Sequence, residues 1–173
     1  MRDNWKTATL IPLLLAFFFL LDGVLTVVFS EYFLEGTKVM TPRLIILVLI
    51  LMSFYIPRSK MLVYSLLFGL IYDSYYVGIL GVYVLLFPLI IYLTEKLKKV
   101  LNPNPIVIGM MVIINLSLIE TYLYLFYQVL GYTKINWTTF LADRLGPTLL
   151  LNLVLFIIVF YPLKKIIEHI QGE

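Results

Sequence analysis

The sequence predicts an all-α, polytopic membrane protein with about six transmembrane helices. Of the 173 residues, 62% are hydrophobic and only 13% are charged, whereas an ordinary soluble domain is about 45–50% apolar and about 25% charged. The apolar residues also form long runs between short polar segments, and a spanning helix needs roughly 20 such residues. We therefore expect one transmembrane domain, residues 1–173, with no room for a separate soluble domain.

Six apolar runs supply the predicted spans, at residues 8–30, 42–56, 61–72, 79–93, 105–130 and 145–163. Arg2 and Lys6 precede the first run, as in a signal peptide. We interpret that run as a span because it exceeds the core of a signal peptide, about 7–15 residues, and lacks a small-residue cleavage site. Thr41 is predicted to cap the second helix, with Pro42 at its first helical position. Pro88 is predicted to kink the fourth helix, where neighbouring helices can satisfy the freed carbonyl.

Lysine and arginine are distributed unequally between the two sides of this predicted topology. Six spans place both termini on one side, together with short basic loops at 57–60 and 94–104. Nine of the 13 basic residues lie there: Arg2, Lys6, Arg58, Lys60, Lys96, Lys98, Lys99, Lys164 and Lys165. The other side holds Lys38, Arg43, Lys134 and Arg144. The positive-inside rule therefore predicts a multi-pass protein of the cell membrane with both termini in the cytoplasm.

Three acidic residues lie inside or at the edge of apolar runs: Asp22, Asp73 and Glu120. An ionisable side chain at the middle of a bilayer costs about 2.5–3.5 kcal/mol. From a rise of about 1.5 Å per helical residue, all three are expected in the outer half of the membrane. Arg43 and Arg144 begin the inward-running second and sixth spans from that side, with Asp143 beside Arg144. Charges of opposite sign are therefore predicted to meet in one layer.

Two interpretations of this layer remain open at this stage. In the first, the acids are solvated in the outer headgroup region and have no role. In the second, an intramembrane polar network stabilises helix packing or binds a ligand or a partner helix. Its members would be Asp22, Arg43, Asp73, Glu120, Asp143 and Arg144. The mid-span residues Asn115, Ser117 and Asn152 are expected to add hydrogen bonds between helices, each worth about 0.6 kcal/mol.

Three glycines surround Asp73, and they point to a turn or to close helix packing. Gly69 precedes Asp73 by four residues and shares its helix face, so another backbone could approach closely there. Gly78 and Gly81 follow it in a segment rich in glycine and tyrosine. The alternative is that all three glycines serve only a tight re-entrant turn.

The composition argues against catalysis and against bound cofactors. The chain has no cysteine and a single histidine, so neither a nucleophile–base pair nor a histidine-based metal site can be assembled. That residue, His169, is expected to be solvated near the C-terminus. No basic face suitable for nucleic acid is present. We predict no catalytic, cofactor-binding or metal-binding residues, although a carboxylate-only membrane enzyme acting on lipid-linked precursors stays open.

Five short motifs, in this order and spacing, are typical of one family. They are TPR at 41–43, FGLIYD at 68–73, GILGVY at 78–83, LIE at 118–120 and DRLGP at 143–147, the last leading to Asn152. Together they resemble the rod shape-determining protein MreD family in its Gram-positive form. The resemblance covers nearly the whole chain.

This resemblance implies a fold and a role. The fold would be similar to the substrate-binding subunits of energy-coupling-factor transporters. The role would be that of a non-enzymatic scaffold of the cell-elongation complex, or elongasome, which directs peripheral peptidoglycan synthesis. The implied partners are MreC, RodA with its class B transpeptidase, and the actin-like MreB where present. Self-association is left open, and the family has no established catalytic residues.

A small-molecule-binding subunit of a membrane transporter is the alternative function, because the same fold supports it and fold alone does not decide function. The resemblance to such subunits implies an alanine-rich face on the first helix, for docking on the energising partner. This chain has only three alanines: Ala8, Ala16 and Ala142. The first helix is otherwise rich in leucine and phenylalanine, which favours the scaffold.

Overall fold

The computed structural model describes residues 4–34, 38–102 and 104–171. Throughout this part of the chain the backbone forms helices, turns and loops, with no strand, in agreement with the predicted all-α class. Arg2 lies outside the described residues. Three helical stretches among them are long and apolar enough to cross a membrane, namely Ala8–Val28, Pro105–Val129 and Trp137–Ile170.

The helices follow one another through short connections. They are α1 (Asn4–Val28), α2 (Ser30–Leu34), α3 (Leu44–Met52), α4 (Arg58–Tyr72), α5 (Val82–Val100), α6 (Pro105–Val129), α7 (Trp137–Thr139) and α8 (Gly146–Gln171). A π-helical segment, Asp73–Val77, extends α4, and a second, Phe140–Leu145, precedes α8. Asn104 caps α6 by accepting a hydrogen bond from the Val107 amide at 2.8 Å, with Pro105 at the first helical position.

Helix α3 lies at the centre of the fold. None of its nine residues is more than 2% exposed, and it packs against α1, α4, α5, α6 and α8. Its sequence explains this position, because LIILVLILM is apolar on every face, and a helix that is hydrophobic all round is stable only when it is surrounded. At about 1.5 Å per residue it is only about 13 Å long, less than half of the roughly 30 Å hydrocarbon core of a bilayer.

The short length of α3 determines where polar groups are needed. A helix leaves four amides without partners at its start and four carbonyls at its end. In α3 the start lies inside the bundle, where water cannot replace the missing partners, whereas the end lies close to partly exposed residues. We call the end of the bundle at which α3 begins the network end; α1, α4 and α6 finish there, and α5 and α8 start there.

Several predicted boundaries are wrong, for identifiable reasons. Thr41 and Pro42 do not start the second helix, which begins at Leu44. The predicted loop at 94–104 is largely the last turns of α5, which continues to Val100 with Lys98 and Lys99 in its final turn. The charges of that segment suggested a loop, but lysine is a good helix former and is favoured near a helix C-terminus. Similarly, α8 continues to Gln171, beyond the predicted end of the sixth span.

Candidate functional site

The start of α3 is closed by a carboxylate from another helix. Asp22, in α1, accepts hydrogen bonds from the Leu44 amide at 2.6 Å and from the Ile45 amide at 3.1 Å. Arg43, at the N-cap position, makes no side-chain capping bond of its own. Asp22 is 3% exposed, so it is not solvated. The carboxyl group lies at the start of α3, where the helix dipole is positive.

Beside this cap, a buried glutamate joins two arginines. Glu120 of α6 accepts two hydrogen bonds from Arg43, at 3.0 Å from Nε and 2.8 Å from Nη2, both on Oε1. Its other oxygen, Oε2, lies 3.4 Å from Nε of Arg144. Arg43 also donates from Nη1 to the Tyr72 hydroxyl at 3.0 Å and lies over the Tyr83 ring at 5.6 Å from its centre. Glu120 is fully buried and the Arg43 side chain is 6% exposed.

The segment before α3 is held by α8. The side-chain oxygen of Asn152 accepts a hydrogen bond from the Arg43 amide, and its nitrogen donates to the Thr41 carbonyl, both at 2.8 Å. Thr148, one turn earlier, accepts a hydrogen bond from the Thr41 amide at 3.3 Å. These contacts satisfy backbone groups of the segment that precedes α3. We define the polar network as Asp22, Arg43, Tyr72, Glu120, Arg144 and Asn152.

Asp73 belongs to a second, separate cap. It is fully buried, and its carboxylate accepts hydrogen bonds from the amides of Gly81 and Tyr83, each at 2.8 Å, and of Val84 at 3.2 Å. These amides lie at the start of α5. Gly78 and Gly81 have φ of 73° and 109°, values that favour glycine, and they return the chain so that α5 packs against α4. A Cβ at Gly69 would lie 2.6 Å from the Tyr83 carbonyl oxygen, so the two backbones are in close contact there.

The opposite end of α3 is completed by a lysine. Lys98, in the last turn of α5, donates to the Ser53 carbonyl at 2.8 Å and to Glu95 at 2.7 Å. The Lys98 side chain is 28% exposed. The Ser53 hydroxyl returns to the Leu49 carbonyl at 2.8 Å. A carboxylate at the start and an ammonium group at the end both match the dipole of α3.

Other predicted residues lie apart from the polar network or join it differently. Asp143 contributes its backbone carbonyl, which accepts from the Val39 amide at 2.7 Å. Asn115 and Ser117 bond to carbonyls of their own helix, so the expected hydrogen bonds to other helices are wrong for these two; such bonding to the preceding turn is common for short polar side chains in helices. Pro88 lies inside α5. Asp22 and Asp73 bond backbone amides rather than an arginine.

The sequence interpretation missed two residues that shape this end of the fold. Tyr72 accepts a hydrogen bond from Arg43. Gly23 lies directly under Tyr76, and a Cβ there would clash with the Tyr76 hydroxyl. That hydroxyl donates to the Phe19 carbonyl at 2.9 Å. An aromatic residue one place before Asp73, and a glycine one place after Asp22, were the available signals.

The arrangement is suited to holding helices together rather than to chemistry. Every carboxylate oxygen of Asp22, Asp73 and Glu120 already contacts a backbone amide or a guanidinium group. A general base needs an accessible lone pair within reach of a substrate proton. Among the described residues, no group of three or more His, Cys, Asp or Glu side chains could hold a metal ion.

Comparison with known proteins agrees with the motifs of the sequence. The family model of the rod shape-determining protein MreD matches residues 6–170. The chain is 29% identical to the rod shape-determining protein MreD of Bacillus subtilis (strain 168), over 95% of each chain. It is 30% identical to the cell shape-determining protein MreD of Streptococcus pneumoniae (strain ATCC BAA-255 / R6), over 86% of this chain and 88% of that protein. No solved structure matches significantly. The chain belongs to the rod shape-determining protein MreD family.

Proposed function

We propose that this protein is a non-enzymatic membrane scaffold of the cell-elongation complex, required for cell shape, and that it acts with MreC in peripheral peptidoglycan synthesis. RodA with its class B transpeptidase, and MreB where present, are the further partners. The observation that supports this most is that the buried carboxylates are all used in holding helices together. A framework fixed in this way presents constant helix faces to partner helices.

We propose six membrane crossings with both termini in the cytoplasm. Three of the crossings would be made by the long apolar stretches that contain α1, α6 and α8. The other crossings would be made by α3 with its flanking turns, by α4 with its π-helical extension, and by α5. The unequal distribution of lysine and arginine supports an outward-facing network end. Cysteines introduced at Tyr132 and at Lys165, in a chain that has none of its own, test this with a membrane-impermeant thiol reagent. Labelling from outside at 132 alone is expected, and labelling at 165 alone would overturn the orientation.

Affinity purification of the tagged protein in mild detergent, followed by mass spectrometry of proteins and small molecules, tests the scaffold. Recovery of MreC and the wall synthases is the expected result. Glu168→Gln, in an exposed ion pair with Lys164 at 3.6 Å, serves as the matched control for Glu120→Gln. We expect Glu168→Gln to retain the partners and Glu120→Gln to lose them, because only the second disturbs the buried framework.

A small-molecule-binding transporter subunit is the second candidate, and one observation favours it. A cavity of about 360 Å³ opens beside the polar network, within the usual range of about 300–1,000 Å³ for ligand pockets. Recovery of an ATPase and a transmembrane coupling subunit, together with a bound vitamin, would establish this function and overturn the scaffold. Recovery of a bound lipid alone would not establish a transporter subunit.

A further inference from the structure

The cavity at the network end is lined by five different parts of the fold. Asp22 lines it from α1, Tyr72 from α4, Tyr83 from α5, Tyr127 from α6, and Arg144 from the π-helical segment before α8. Side chains at its edge are partly exposed, including Tyr76 at 37%. The cavity is therefore open at the surface, while Arg43, which pairs with Glu120, lines its buried side.

Hydrogen-bond donors remain available in this cavity, whereas the nearby carboxylate oxygens already have partners. Both oxygens of Asp22 accept from α3, and both oxygens of Glu120 contact arginine. By contrast, Arg144 uses only its Nε, and its side chain is 33% exposed. Within the described part of the chain, the Tyr83 and Tyr127 hydroxyls and both terminal nitrogens of Arg144 form no hydrogen bond.

This imbalance predicts an anionic ligand. The Asp22 carboxyl group lies at the start of α3, where the helix dipole places about half a positive charge. A guanidinium group with its terminal nitrogens free forms paired hydrogen bonds to phosphate or carboxylate oxygens. The donors come from three elements on different sides of the cavity, which suits the oxygens of a tetrahedral phosphate better than the two coplanar oxygens of a carboxylate.

The backbone supplies a second, independent observation. Both π-helical segments found in the described residues border this cavity: Asp73–Val77 contributes Tyr76 and Val77, and Phe140–Leu145 contributes Arg144. Fewer than about 1% of residues in globular proteins are π-helical, and such segments occur frequently at functional sites.

We propose that this cavity is a binding site for a phosphate group, held by Arg144 and by the hydroxyls of Tyr83 and Tyr127. The group is carried either by the headgroup of an anionic lipid or by a small soluble phosphate. This proposal does not depend on the scaffold function, because phosphate binding can be measured on the purified protein without any partner.

The test uses the full-length protein in phosphatidylcholine nanodiscs. One arm adds inorganic phosphate at constant ionic strength against chloride, and the other replaces part of the lipid by phosphatidylglycerol. The melting temperature is followed against probe concentration, because a ligand that binds only the folded state raises it. Native mass spectrometry counts the bound molecules.

The variant Tyr83→Phe/Tyr127→Phe removes two donor hydroxyls and retains both rings. Its control, Tyr75→Phe/Tyr132→Phe, removes the hydroxyls of two tyrosines that are 72% and 73% exposed and do not line the cavity. Arg144→Lys keeps the charge but loses the paired donors.

A rise in melting temperature with either probe is expected. In Tyr83→Phe/Tyr127→Phe the half-saturating concentration should increase about tenfold or more, as for lost hydrogen bonds to a charged group. Arg144→Lys should weaken binding in the same direction, and the control should behave as the wild type. A response only to phosphatidylglycerol identifies a lipid headgroup, and a response to inorganic phosphate identifies a soluble anion. No response to either probe, or an equal response in all variants, would overturn the proposal.

Discussion

The backbone groups that lack an intrahelical partner are satisfied differently at the two ends of α3. At its start, the unpaired amides meet a carboxylate that is 3% exposed, with an Arg43–Glu120 pair and Asn152 fixing the preceding segment. At its end, one lysine that is 28% exposed reaches the Ser53 carbonyl. The difference shows that a helix end remote from solvent needs several charged partners that also pair with one another, whereas an end near solvent needs only one.

Glu120→Gln is expected to have the largest effect. Removing one partner of a buried ion pair costs about 3–5 kcal/mol, because the remaining charge is left without compensation, and here the guanidinium group of Arg43 would be that charge. The melting temperature of the purified protein in detergent measures the loss. Glu168→Gln, in an exposed pair, should change the stability by no more than about 1 kcal/mol. Equal melting temperatures for the two variants would contradict the claim that the buried pair contributes more to stability than the exposed pair.

Asp22→Leu should come next. It leaves the Leu44 and Ile45 amides buried without acceptors, at a cost of about 1–3 kcal/mol for each unsatisfied group. Asp22→Asn keeps one acceptor oxygen and should lose less. Hydrogen–deuterium exchange at the start of α3 reports the effect locally, with faster exchange expected at 44–45 than at the end of the helix. Unchanged protection in Asp22→Leu would show that other groups satisfy these amides.

Asn152→Leu tests how much the link from α8 to the segment before α3 contributes to stability. The Arg43 amide and the Thr41 carbonyl would lose their partners, and we expect a loss of about 1–3 kcal/mol. Ser117→Ala is the control, since Ser117 bonds only to the Ile113 carbonyl of its own helix. Thermal unfolding of both variants, side by side, measures the difference. A larger loss in Ser117→Ala would contradict the assignment of Asn152 as a link between helices.

Lys98→Met should have the smallest effect. Methionine keeps the length of the side chain and removes the ammonium group, and the ion pair with Glu95 is partly exposed and worth about 0–1 kcal/mol. Water can replace part of the lost contact with the Ser53 carbonyl. The melting temperature should therefore fall by less than in Asp22→Leu. A loss as large as that of Glu120→Gln would show that the two ends of α3 are equally dependent on charge.

The sequence predicted the helical class, and the five motifs identified the family that the comparisons confirm. The helical rise also predicted that Arg43, Glu120 and Arg144 lie at one depth. In the structure, Glu120 contacts both arginines. Depth alone could not assign partners, because partner choice depends on the rotation of each helix. For that reason the bonds from Asp22 and Asp73 to backbone amides could not be anticipated.

Three further features depend on tertiary contacts that no local pattern records. The boundaries of α3 are set by what surrounds it, so its capping residue comes from α1 and not from the adjoining Thr41. The π-helical segments carry no sequence signal that distinguishes them from an α-helix or a turn. The continuation of α5 through Lys98 is stabilised by the Ser53 carbonyl at the end of α3, which is 45 residues away in the sequence.

A double-mutant cycle on Arg43 and Glu120, read out as melting temperature, tests most directly the claim that these two buried charges compensate each other. It compares the wild type with Arg43→Met, Glu120→Met and the double variant. Because paired apolar replacement of a buried ion pair is often close to neutral, the double variant should be more stable than either single variant. Losses that simply add, with the double variant the least stable of the four, would contradict the account.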